Sequence, residues 1–314
     1  MKAALITGPG QSPVFADFRD PQPAPGEYLI TVGAAAISQV VKSRASGSHY
    51  SSSGQFPFVA GIDGIGRTQD GSRVYFALPD APFGSMAERV AIPAARCVPV
   101  PDGLDDVTAA ALANPGLSSW AAYAERARLR PGETVLVNGA TGTSGRLAVQ
   151  IAKHLGAGKV IATGRNPAAL AELAELGADV TLQLDEDFRP YFAEGVDVVI
   201  DYLWGKSAEA LLIAAAKAGP EARPIRFVQV GSISGADITL PSAVLRSSAI
   251  ELIGSGIGSV PVERLIACIA DLLRAAPAAG FKIATTPRPL SEVERAWSED
   301  DSQRRTVFLI EDQK

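Results

Sequence analysis

The hydrophobic pattern changes character along the chain. Residues 1 to about 115 read as short apolar runs cut by Gly and Pro: Tyr28–Val32 after the turn-forming run Pro21–Gly26, Arg73–Ala77 after Asp70-Gly71, then Arg89–Ile92 and Cys97–Val100. Short strands at this spacing predict a small irregular barrel. The Ser- and Gly-rich stretch Ser43–Gln55, which carries His49 and Tyr50, predicts an exposed loop. From Ser118 to Gly258 short apolar strands alternate with Ala-rich helical runs. The strands are Thr134–Asn138, Lys159–Thr163, Val180–Gln183, Asp197–Asp201, Arg226–Val230 and Glu251–Ile253; the helices are Arg146–Leu155, Pro167–Leu176, Ser207–Ala218 and a short piece at Ser242–Ser248. Near-continuous apolar strands separated by helices predict a parallel sheet covered on both faces, and six of them fit a doubly wound α/β domain. The tail predicts a helix over Val262–Ala275 behind Pro261, and a last strand at Thr306–Ile310.

Composition narrows the class. A chain of 314 residues with 47% hydrophobic content can fill about two cores. The 30 Gly and 22 Pro are spread without a period, so they mark tight connections and not a low-complexity tract. Two Cys far apart in sequence exclude a disulfide framework and predict a reducing, cytoplasmic setting. A net charge of -5 with no Lys/Arg run argues against a nucleic-acid partner. No apolar run is long enough for a membrane span or for a secretory leader at the start of the sequence.

The strongest local signal is Val135-Leu-Val-Asn-Gly-Ala-Thr-Gly-Thr-Ser-Gly-Arg146. An apolar strand ends at Asn138, Gly139, Gly142 and Gly145 follow at three-residue spacing, and a helical run begins. That order turns the chain sharply, lets backbone approach a diphosphate, and aims free helix N–H groups at its negative charge. Gly139, Thr141, Gly142, Thr143, Ser144 and Gly145 are therefore candidate cofactor residues. The next strand ends in Gly164-Arg165-Asn166, where an NAD site normally carries Asp or Glu for the ribose 2′-hydroxyl. Small residues and Arg165 stand there instead, which fits the 2′-phosphate of NADPH; the competing reading is a solvated surface Arg. Leu203 and the run Gly231, Ser232, Ile233, after the fourth and fifth strands, complete the expected cofactor border.

With this turn in mid-chain behind a strand-rich first domain, the sequence resembles the medium-chain dehydrogenase/reductase superfamily, and within it the zinc-free quinone oxidoreductases of the zeta-crystallin type. The resemblance runs the whole length. It is carried by Leu129-Arg-Pro-Gly-Glu-Thr-Val135, Val149-Gln-Ile-Ala-Lys153, Leu176-Gly-Ala-Asp179, Gly195-Val-Asp-Val-Val199 and the Gly-x-(Asp/Glu)-x-x-Gly signature Gly61-Ile-Asp-Gly-Ile-Gly66. It implies a GroES-like catalytic domain from residues 1–117 and 259–314 and a Rossmann domain over 118–258. It also implies a homodimer through the edge strand Glu251–Ile253. The three zinc-ligand positions of the zinc-dependent branch hold Ser38, Ile62 and Asn114, so the resemblance implies hydride chemistry without a metal. Relatives often carry a Lys just after the second Rossmann strand and a Tyr after the third; Ala168 or Ala169 and Leu184 stand there, which leaves Arg165 with most of the 2′-phosphate task.

The implied reaction is reduction of quinones or of activated C=C bonds in enones by hydride from NADPH. Charge developing on a substrate oxygen then needs a hydrogen-bond donor or a proton. Tyr50 falls where the family often has a Tyr beside the pocket, as donor or as aromatic wall. Ser38 either hydrogen-bonds ribose or substrate or fills the space of the missing ligand. Asn114 and Ser118 line the same predicted cleft and are counted with the cofactor residues, and Asp63 reads as a structural acceptor. Two rivals stand beside this reading. Gly139–Arg146 and Tyr202-x-x-x-Lys206 look like short-chain reductase motifs, but the turn lies over 130 residues into the chain and Tyr202 follows a strand. A non-catalytic NADPH-binding sensor or structural protein on the same fold is the other.

Overall fold

The computed structural model describes residues 1–47, 54–300 and 303–310. The chain forms two compact units, one from Met1–Pro115 and Ile269–Lys314, the other from Gly116–Cys268. The first stretch contains β1 (Lys2–Ile6), β2 (Val14–Asp17), β3 (Glu27–Ala36), α1 (Gln39–Ala45), β4 (Phe58–Val59), β5 (Asp63–Arg67), β6 (Arg73–Ala77), β7 (Arg89–Pro93), β8 (Cys97–Pro99) and α2 (Asp106–Ala121). β1 is the centre of a three-stranded antiparallel sheet between β2 and β4. β3 is the spine of a larger sheet, paired antiparallel with β5 on one side and β7 on the other. Ser43–Ala45, expected in a loop, form the last turn of α1; His49 and Tyr50 lie outside the described residues.

The second unit is built as the alternation predicts. It runs β9 (Thr134–Asn138), α3 (Thr143–His154), β10 (Lys159–Gly164), α4 (Pro167–Ala171), β11 (Val180–Gln183), α5 (Arg189–Glu194), β12 (Val198–Asp201), α6 (Gly205–Ala218), β13 (Pro224–Gln229), α7 (Ser242–Arg246) and β14 (Ala249–Gly254). All six strands are parallel, in the order β11-β10-β9-β12-β13-β14. The order reverses between β9 and β12, the switch point where such sheets open a crevice at their carboxyl ends. The central strands β9, β10 and β12 are almost wholly buried, and the edge strand β14 is mostly exposed. Burial on both faces explains why the central strands read as unbroken apolar runs.

The chain then returns through α8 (Val262–Ala279), β15 (Thr285–Pro289), α9 (Val293–Glu299) and β16 (Arg305–Leu309). β16 lies between β15, parallel, and β3, antiparallel, so the tail completes the first unit's large sheet. The units part inside α8 and not at 258/259, because the first turns of α8 are tied to the second unit. Arg264 pairs with Glu125 at 2.6 Å, and Cys268 Sγ lies 3.9 Å from the same carboxylate.

Asp63 of the signature sits in β5, buried, and accepts a hydrogen bond from the Tyr75 hydroxyl at 3.0 Å. Burial pushes its carboxyl up to about 6, against the opposing pull of Arg305 and Tyr75. The folded state therefore holds this proton where the unfolded chain has released it, so Asp63's contribution to stability falls as pH rises from about 4 to 6. Urea unfolding of the protein and of Asp63→Asn across pH 4 to 7 should show that decline in the native chain and a flatter profile in the variant. Parallel profiles would refute the assignment.

Candidate functional site

The expected cofactor residues of the second unit, apart from Ser118 in α2, gather at the carboxyl ends of β9, β10, β12 and β13. The chain leaves β9 at Gly139, whose φ of +85° suits glycine and over which Leu203 packs so closely that a Cβ would stand 2.8 Å from its Cδ2. Gly142 caps α3 with no side-chain hydrogen bond, and a Cβ there would meet nothing within 4 Å. At Gly145 the space is closed: a Cβ would lie 2.3 Å from the Gly139 carbonyl oxygen, so α3 presses directly on the turn. Thr143 and Ser144, half-buried, form the first helical turn, whose N–H groups have no acceptor within the helix. An open rim at Gly142, the N-terminus of α3 and a tight floor at Gly145 fit the diphosphate of a dinucleotide.

The turn is held from below by a buried network of polar side chains from three strands and one helix. Asn138, the last residue of β9, donates through Nδ2 to Asp201 Oδ1 at 2.8 Å. Its Oδ1 accepts from Thr163 Oγ1 at 2.7 Å and from Ser207 Oγ at 3.0 Å. The Thr163 hydroxyl in turn accepts the Gly139 N–H at 3.2 Å, and the Thr163 carbonyl takes the Ala140 N–H at 2.8 Å. Asp201 also accepts from the Leu203 and Trp204 N–H groups. Burial raises the Asp201 carboxyl above its usual range, while the Leu203 N–H, the Asn138 amide and the Trp204 N–H hold it down. Reading the sequence for a cofactor border missed this network. Its signal is a polar residue at or next to the end of each of three otherwise apolar strands.

A second set of hydroxyls flanks α3. Ser119 shares a 2.7 Å hydrogen bond with Tyr202 Oη and donates to the Ser144 carbonyl at 3.3 Å. Ser118 also bonds Tyr202, whose phenol is pushed up to about 12 by burial. Tyr202 is thus committed to α2, while Lys206 turns to Glu209, so the Tyr-x-x-x-Lys spacing brings no pair together.

At the end of β10, Gly164 lies against the Thr141 side chain, and Arg165 is exposed with no hydrogen-bond or ion-pair partner among the described residues. Asn166 caps α4, its Oδ1 accepting from Ala168 N at 2.9 Å and Ala169 N at 3.3 Å. After β13, Gly231 follows the strand and Ser232 and Ile233 are exposed; Ile233 is 70% accessible. Asn114, in the part of α2 assigned to the first unit, is half-buried. Also in the first unit, Ser38 is buried and caps α1, its Oγ accepting the Val41 N–H at 3.1 Å. The cap uses the oxygen and leaves the hydroxyl proton for another acceptor. Ile62 packs in the apolar core.

Residues 145–274 match the zinc-binding dehydrogenase family, a stretch that contains none of the three positions Ser38, Ile62 and Asn114. A probable NADPH-dependent quinone reductase of Emericella nidulans is 31% identical over 359 aligned positions, covering 99% of this chain and 100% of the relative. A phenolphthiocerol/phthiocerol polyketide synthase subunit of Mycobacterium tuberculosis is 31% identical over 241 residues, 73% of this chain and 11% of that protein. The quinone oxidoreductase of Thermus thermophilus, solved alone and with NADPH, superposes with a TM-score of 0.81 at 27% identity, covering 98% of this chain and 100% of its own.

Asn138→Ala would leave the Asp201 carboxylate and two hydroxyls short of a partner. We expect it to lower unfolding free energy by about 1–3 kcal/mol, measured by denaturant titration. A change within about 0.3 kcal/mol would contradict the network's role.

Proposed function

Because the chain belongs to the zinc-free quinone oxidoreductase family of the medium-chain dehydrogenases/reductases, we propose that it is an NADPH-dependent oxidoreductase reducing quinones or activated C=C bonds of enones. The observation that carries this reading is the glycine turn between β9 and α3, open at Gly142 and closed at Gly145, at the switch point of a six-stranded parallel sheet. NADPH, when bound, supplies a hydride. The residues of the chain do the rest. Gly139 to Gly145 would cradle the diphosphate, with Gly139 and Ala140 held by Thr163 and the N-terminus of α3 turned to the ligand, and Gly164, Arg165 and Asn166 would border the adenosine ribose. Arg165, exposed and without a partner among the described residues where an NAD site carries an acid, would take the 2′-phosphate. Leu203, Gly231, Ser232 and Ile233, with Ser118 of α2, would cover the remaining length of the cofactor; Asn114 is the candidate cofactor residue of the first unit. The exposed Ile233 offers an apolar surface for a flat ring. Ser38 and Tyr50 are the candidate hydrogen-bond donors to the substrate oxygen.

Ser38, Ile62 and Asn114 supply neither thiolate nor imidazole at the places where zinc-dependent relatives hold their metal, so oxygen polarisation falls to hydrogen-bond donors. The sensor or structural alternative is not favoured, because the relative matched over its full length is named as a quinone reductase. No helix among the described residues is long and apolar enough to cross a membrane, and we place the protein in the cytoplasm. β14, an exposed edge strand with Leu252 42% accessible, is the surface we assign to a homodimer.

NADPH oxidation followed at its near-ultraviolet band with a panel of quinones and enones tests the activity. Turnover of at least one class is expected; NADPH binding without turnover of any acceptor would favour the non-catalytic reading. Arg165→Glu should weaken NADPH binding by tenfold or more, on the order of 1.4 kcal/mol, and leave NADH binding nearly unchanged. Equal losses for both cofactors would remove Arg165 from the 2′-phosphate.

A further inference from the structure

A phosphate monoester carries roughly -1.5 to -2 charges at neutral pH, and Arg165 alone does not balance it. The elements that continue from β10 and β11 add no free cation. α4 is Pro-Ala-Ala-Leu-Ala, and Leu184 to Phe188 holds three acids, with the Arg189 that follows paired to Asp187. The missing charge stands on the other flank of the turn. Arg146, the residue after Gly145, reaches back from α3 and donates through Nε to the Thr141 carbonyl at 3.1 Å. Thr141 is the residue whose methyl lies against Gly164, the last residue of β10. Through Nη2, Arg146 meets Glu172, just beyond α4, at 2.6 Å. Its guanidinium therefore spans from the tip of the glycine turn to the far end of α4, the helix that Arg165 and Asn166 open.

We propose that Arg146 is the second cation of the 2′-phosphate site and, with Arg165, sets the preference for NADPH over NADH. The proposal rests on the reading of this turn as an NADPH site. Three facts favour it over a role as a strut. A guanidinium has five N–H donors, and the bonds to Thr141 and Glu172 use two of them, leaving Nη1 and one Nη2 proton available. Arg146 is half-buried, its side chain 21% accessible, so its charge is less screened than that of a fully exposed side chain. Glu172 is 63% accessible, so its hold on Arg146 is the weaker kind of surface ion pair and yields to a dianion that offers three acceptor oxygens.

The test is a titration of the full chain with NADPH and with NADH, comparing the native protein with Arg146→Gln, Arg146→Lys and Glu172→Gln. Arg146→Gln should raise the Kd for NADPH about tenfold or more and move that for NADH by no more than about twofold. Arg146→Lys should recover part of the loss, as a point charge without the fork. Glu172→Gln should tighten NADPH binding two- to threefold, because it frees Arg146 and removes a repelling charge, and should leave NADH unchanged. A strut would produce a different result: NADPH and NADH would weaken together in Arg146→Gln, and Glu172→Gln would weaken both or neither. Either pattern overturns the proposal. If Arg146→Gln does not fold, an unchanged NADPH Kd in Glu172→Gln overturns it instead. A native chain that prefers NADH overturns the parent reading as well; a native chain that prefers NADPH, with the preference intact in Arg146→Gln, overturns only the role of Arg146.

Discussion

Helix α3 and the glycine turn touch at Gly145 so closely that no side chain fits between them, and the rest of the second unit is arranged to keep that contact. The Gly145 hydrogen faces the Gly139 carbonyl, which places the first turn of α3 directly behind the loop that leaves β9. Only then do the N-terminus of α3 and the open rim at Gly142 stand side by side. Such a contact is not held by the turn alone, because the loop must leave β9 through a positive φ at Gly139.

The holding force comes from Asn138. One amide connects β9 to β12 through Asp201, to β10 through Thr163 and to α6 through Ser207. Thr163 then passes the connection on to the Gly139 and Ala140 N–H groups. Each such bond contributes about 1 kcal/mol net, and an unmade one in a buried site costs more than that, so the network acts as a unit. Above it, Ser119 links Tyr202 with the Ser144 carbonyl and holds the flank of α3. Backbone recognition of a diphosphate is tightest when the donors are fixed before the ligand arrives, and the network fixes the turn and the flank of α3 in that way.

Much of this was legible in the sequence, and the limits have physical reasons. The six parallel strands were plain because strands buried on both faces need continuous apolar runs, as in Val135-Leu-Val and Val198-Val-Ile. β5 was not, because Asp63-Gly-Ile-Gly-Arg67 has the composition of a turn and becomes a strand only through its pairing with β3 and β6. α2 was hidden by Pro115 and Gly116 in its middle, residues that ordinarily stop a helix. The glycine turn was visible because its spacing is local. The Asn138 network was not, because its members are 25, 63 and 69 residues apart and meet only in the folded sheet. Arg146 escaped notice for the opposite reason: it follows the motif so closely that it reads as the start of the helix, and its reach toward Glu172 is a tertiary fact. Ser38 illustrates a third limit, since a residue picked for chemistry also serves as the cap of α1.

In the site proposed above, NADPH lies across the carboxyl end of the parallel sheet, with its diphosphate on the first turn of α3. The most direct measurement is a crystal structure of the chain grown with NADPH. Diphosphate density is expected over Gly142 to Gly145, within hydrogen-bond distance of the N-terminus of α3, and 2′-phosphate density between Arg165 and Arg146. A diphosphate bound elsewhere, or a 2′-phosphate turned away from both arginines, would contradict it.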